Sequence, residues 1–154
     1  LEIVEQTGAG AVLHTHSQAG TLLSGWLDPN GPDPGDPDAD GPASAGSDGI
    51  SHLELSDLEM LKGLRGVTTH QATVRVPVLS NDQDLERLSQ KARPHLAEAP
   101  HGLLIAGHGL YAWGRDLAEA RRHVEIHEFL LEQQWRRMLL KALHPSTRLG
   151  GRRT

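Results

Sequence analysis

Apolar and polar positions change period several times along the chain, and each change predicts an element. Residues 1–9 read as the tail of a helix closed by the glycines at 8 and 10. Gly10 to His16 (GAVLHTH) is a short apolar run that predicts a strand, and Ala19 to Leu23 begins a helix. Ser56 followed by Glu59 has the S-x-x-E form of a capping box, opening a short helix through Leu64. Thr73 to Leu79 (TVRVPVL) alternates and is rich in β-branched residues, so it predicts a strand; its Pro77 points to an edge or a strand end. Asn81 or Asp82 can cap a helix over 83–93, which Pro94 would disrupt. Gly102 to Ala106 predicts a further strand, continued by Tyr111 to Trp113 after a break at Gly107-His108-Gly109.

From Asp116 to about Leu143 the spacing predicts one long helix. Leu117, Ala120, Val124, Leu131, Trp135 and Met138 form an apolar stripe suited to a core or a subunit interface. Strands alternate with helices and no repeat is visible, which predicts a layered α/β domain over residues 1–143. Residues 26–49 interrupt it with Pro, Gly, Asp, Ser and Ala, a composition too poor in apolar area to offset chain entropy and expected to be disordered. The spacing of a calcium-binding loop is not met there. Residues 144–154, ending RLGGRRT, read as a flexible basic tail.

Composition narrows the function classes. Aromatic residues are only 3%, so Leu, Val, Ile and Ala must fill the core. A formal net charge of -5 argues against nucleic acid or an anionic membrane as the main partner. With no cysteine there is no disulfide, thiolate ligand or cysteine nucleophile. No apolar run approaches the ~20 residues that span a bilayer, and the start lacks a secretory signal, so the cytoplasm is the default location. Opening on Leu1-Glu2-Ile3 without an initiator Met, the chain reads as N-terminally truncated.

The candidate chemistry lies in ten histidines, and above all in three of them. His14 and His16 are separated by one residue on a predicted strand, so their imidazoles point to the same side. His108 sits between Gly107 and Gly109, which allow a sharp turn toward a neighbour. Three neutral imidazoles would leave a cation's full charge available as a Lewis acid, with an open position for substrate. An isolated H-x-H is more often structural than metal-binding, and His52, His70, His95, His101, His123, His127 and His144 have no comparable spacing. Glu59 is, from spacing alone, part of the cap with Ser56. Lys62, one turn on, reads as a solvated surface residue that could also reach a substrate phosphate or tune Glu59.

The segments AGAVLHTHSQAGTLLSG, LEMLKGLRGVTTH, VPVLSNDQDLERLS and GLLIAGHGLYAWGRDLAEARRHVEIHEFLLE together resemble the class II aldolase/adducin family. Within it, EMLKG, NDQD and HGLYAWG resemble the branch that removes water from 5-methylthioribulose 1-phosphate in methionine salvage. The resemblance implies a three-layer α/β/α domain with a mainly antiparallel sheet and one zinc ion per subunit of a homotetramer. It makes His14, His16 and His108 the zinc ligands and Glu59 the acid/base residue. It also implies phosphate-binding Gly-Asn and Ser residues upstream of the H-x-H strand, which this sequence does not contain. The family's sugar-phosphate aldolases, its non-enzymatic adducin-like domains and an inactive fragment are the alternatives.

Overall fold

In a computed structural model, residues 2–31 and 49–144 are described. Most of the stretch at 26–49 and all of the tail beyond His144 therefore lie outside the described residues. The first helix, α1 (Glu2–Thr7), stops at Gly8, whose φ of +68° is the left-handed conformation that ends helices. Strand β1 (Ala11–Thr15) leads into α2 (Gln18–Trp26), capped by the Ser17 hydroxyl, which accepts from Gly20 N–H at 3.0 Å. Just past α2, Asp28 Oδ1 accepts the Ser80 hydroxyl at 2.6 Å, tying this segment to the end of the third strand.

The remaining strands are β2 (Ile50–Leu55), β3 (Val74–Leu79), β4 (Gly102–Ile105) and β5 (Gly109–Gly114). They form one sheet in the order β1-β5-β4-β3-β2, antiparallel at every pairing except β3 with β4. Helices α3 (Leu85–Ala92) and α4 (Leu117–Leu143) complete the frame. On one face α2 and α4 bury Leu23, Ile126, Leu130 and Leu131 against Val76, Leu104 and Ala112. On the other, Ile3, Leu88 and Ala92 of α1 and α3 pack on Leu103, Ile105 and Trp113. The alternation of Leu103, Leu104 and Ile105 between these two cores is the period-two pattern of a strand covered on both faces. The expected α/β/α layering and mainly antiparallel sheet are what the chain forms.

Several local expectations are corrected. β3 is an interior strand, not an edge. It tolerates Pro77 because its pairing with β4 covers only Val78 and Leu79, so the missing N–H falls before that ladder. Asp84, not Asn81 or Asp82, caps α3, accepting from Glu86 and Arg87 N–H. Asp82 instead accepts Asp84 N–H at 2.9 Å in an Asx turn and pairs with Arg87 and Lys91. Tyr111 to Trp113 do not continue β4; they belong to a separate strand returning antiparallel to it. Leu117 stands 63% exposed, outside the stripe buried by the rest of α4.

The capping box at Ser56 does not form. Asp57 adopts a φ of +57°, so the chain between Ser56 and Glu59 cannot wind as a helix start. Residues Glu59–Gly63 make a 3-10 turn entered from extended Leu58, with no side-chain cap.

Candidate metal centre

Among the described residues β1 is an edge strand paired with β5, with His14 opposite Tyr111 and Thr15 opposite Leu110. His14 and His16 project on the same side, as strand alternation requires, and their Nε2 atoms lie 2.6 Å apart. His108 comes from the turn joining β4 to β5, where its N–H donates to Ile105 C=O at 3.0 Å. Gly107 and Gly109 have φ of +63° and +151°. A Cβ on Gly109 would fall 2.1 Å from Thr15 O, so only glycine lets β5 start against the end of β1. That close approach carries His108 to the pair: its Nε2 lies 3.2 Å from Nε2 of His14. Two segments more than ninety residues apart in sequence thus supply one cluster.

The donor set suits a metal ion. His14 Nδ1–H donates to Leu110 C=O at 2.8 Å, which leaves the Nε2 lone pair facing the cluster. Nitrogens held at about 2.0–2.1 Å from a tetrahedral ion stand about 3.3 Å from one another. The His14–His108 spacing already matches, and the His14–His16 spacing needs a small opening. Partial desolvation of an otherwise exposed ring holds His14 below the usual imidazole range, opposed by the Leu110 hydrogen bond and reinforced by His16 and His108. A neutral imidazole is the ligating form. Tyr111 stacks on the His14 ring, centroids 4.0 Å apart and planes 18° from parallel. The three rings are exposed or half-buried, so the cluster is open on its outer side. Among the described residues this is the one group of three or more His, Asp or Glu side chains that could hold a metal.

Residues 1–135 match the model of the Class II Aldolase and Adducin N-terminal domain. The chain belongs to this family. It is 43% identical over 135 residues to a methylthioribulose-1-phosphate dehydratase of Serratia proteamaculans, covering 86% of this chain and 56% of that protein. A protein of the same name from Pseudomonas aeruginosa is 43% identical over 125 residues, covering 80% and 51%. The chain therefore spans about half the length of these relatives. The crystal structure of L-fuculose-1-phosphate aldolase from Thermus thermophilus shares the fold. Its TM-score is 0.55 at 23% identity, covering 95% of this chain and 60% of that one.

In this class II aldolase/adducin domain, the three expected ligands come together and Glu59 does not join them. β2 leads to Glu59 and is the opposite edge of the sheet from β1. Its last residue, Leu55, pairs with Val74, at the end of the sheet where β1 begins rather than where it delivers His16. The Glu59 side chain is 71% exposed, paired with Lys62 and 3.7 Å from His70 Nδ1. The Lys62 hydrogen bond holds its carboxyl below the usual range. Lys62 thus touches Glu59, the alternative to a merely solvated surface lysine.

The other histidines divide by burial. His123 and His127 are buried structural residues: Nδ1 of His123 donates to Trp113 C=O at 2.7 Å and Nε2 of His127 to Pro100 C=O at 3.0 Å. His101 stacks on His123 with centroids 4.6 Å apart. Sequence reasoning missed Leu110 and Tyr111 as the groups that orient His14. Neither carries a local signal, because their place beside His14 depends on strand register.

Proposed function

We propose that this chain carries the metal centre of a zinc-dependent hydro-lyase acting on 5-methylthioribulose 1-phosphate. The product is 5-methylthio-2,3-diketopentyl 1-phosphate, an intermediate in methionine salvage, formed in the cytoplasm. The observation that carries this reading is the convergence of His14, His16 and His108 in a chain whose 43%-identical relatives bear the dehydratase name. Zinc suits an all-imidazole donor set with an open position, and when bound it would supply Lewis acidity to a ketone oxygen.

The chain's residues account for the rest. His14, locked by Leu110 and flanked by Tyr111, fixes the direction from which a ligand must approach. The reaction breaks a C–H bond beside the ketone and the C–O bond of the next hydroxyl, which leaves as water. The resulting enol gives up its O–H proton and gains one on the carbon that lost the hydroxyl, forming the second ketone. Glu59 takes the first proton and returns one to the departing hydroxyl. Its carboxyl is ionised at neutral pH, the state that proton removal requires. Since Glu59 lies off the opposite sheet edge, the reading assigns it to the metal centre of a neighbouring copy in a homotetramer.

The test is to supply 5-methylthioribulose 1-phosphate and, separately, L-fuculose 1-phosphate to the zinc-loaded protein. The diketone should form from the first, and no carbon–carbon cleavage should occur in the second. Aldol cleavage of either sugar, or no conversion with zinc bound, rejects the reading.

A further inference from the structure

We propose that α2 is the brace that sets the distance between the two halves of the metal centre, and that Ser24 is its positioning residue. The inference rests on the metal-centre reading and concerns residues outside the ligand set. α2 begins one residue after His16, where Ser17 caps it. Two turns on, its inner side meets the turn that carries His108. There the Ser24 side chain is fully buried, at 0% exposure. Its hydroxyl donates to Thr21 C=O and accepts Gly107 N–H, both at 3.2 Å, so its O–H and one oxygen lone pair are engaged. Thr21 Oγ1 donates to Ser17 C=O at 2.7 Å and lies 3.5 Å from His108 C=O. One short helix therefore links the residue after His16 to the residue before His108.

The physical need is specific. Gly107 and Gly109 give the turn its shape but leave its backbone soft. Gly107 is itself exposed, yet its N–H takes a protein partner rather than water, and that bond fixes the turn against α2. The Ser24 hydroxyl is that partner, and it belongs to the element that grows from the His14–His16 pair. Holding His108 at ligating distance is thus built into α2 and does not depend on the metal alone. Groups that orient metal ligands in this way commonly change affinity by about 10–100-fold when removed.

Cobalt(II) titration of the whole chain, read by visible absorption and by calorimetry, tests this. Wild type should bind one cobalt per chain with the intense bands of a low-coordinate site. Ser24→Ala should keep its far-UV circular dichroism, bind about 10–100-fold more weakly and show weaker, shifted bands. Should Ser24→Ala fail to fold, Thr21→Val decides, since it removes a hydroxyl at nearly constant shape; it should show the same direction of change. A Ser24→Ala protein, or a folded Thr21→Val in its place, with wild-type affinity and spectrum overturns the brace while leaving the metal centre standing. Absence of cobalt binding by wild type overturns the metal centre and the brace together.

Discussion

His14 donates from Nδ1 to Leu110 C=O at 2.8 Å across the β1–β5 ladder, and this one bond decides which ring nitrogen faces His16 and His108. The backbone register of two strands thus selects a side-chain tautomer, and that tautomer turns the lone pair of His14 Nε2 toward the other two rings, as a metal ligand set would require. Removing the ring should remove the site. His14→Ala is expected to bind zinc at least 100-fold more weakly than wild type by calorimetric titration, with little change in circular dichroism. An unchanged zinc isotherm would place the binding elsewhere.

The contact between Gly109 and Thr15 separates two kinds of glycine. Gly109→Ala puts a methyl 2.1 Å from Thr15 O at a φ that alanine avoids, so it should cost about 3 kcal/mol or more and lower zinc affinity with it. Gly8→Ala meets nothing within 4 Å and bears only the left-handed penalty, about 1–2 kcal/mol, with zinc binding unchanged. Urea unfolding and zinc titration of both variants check the pair. Equal losses would mean that conformation, not the approach of β5 to β1, governs the site.

Burial pushes His127 down to about 4, from an ordinary 6.5. The folded ring stays neutral while the unfolded one takes up a proton, so stability is fully present above pH 6.5 and falls as pH drops toward 4. The loss over that window is roughly 3 kcal/mol. His127→Leu should flatten this slope in chemical unfolding, though it also costs stability at pH 7 by orphaning Pro100 C=O. A slope identical to wild type would assign the acid sensitivity to other groups.

Glu59 should matter to turnover and not to metal. Glu59→Gln is expected to keep wild-type zinc affinity and stability, because its side chain is 71% exposed and touches none of the three imidazoles, yet to lose at least 100-fold in dehydration rate. Mixing Glu59→Gln with His14→Ala subunits should restore part of the activity if the carboxylate serves a neighbour's metal. Failure of every mixed assembly, with both variants folded and associated, would rule out the shared site.

The amino-acid pattern was sufficient for much of the frame. Local period and capping chemistry predicted β1, β3, β4, α2 and α4 near their observed places, because those signals lie within a few residues of one another. Spacing alone put His14 and His16 on one side of a strand, since alternation is a property of the backbone. Other features needed the folded chain. That His108 meets the pair follows from β4 and β5 forming a hairpin beside β1 and from Gly109 yielding to Thr15 O, contacts between segments far apart in sequence. The orienting roles of Leu110, Tyr111 and Ser24, the failure of the cap at Ser56 and the separation of Glu59 from the histidines are likewise matters of register and packing. They depend on which distant atoms share a surface, and no short-range pattern encodes that.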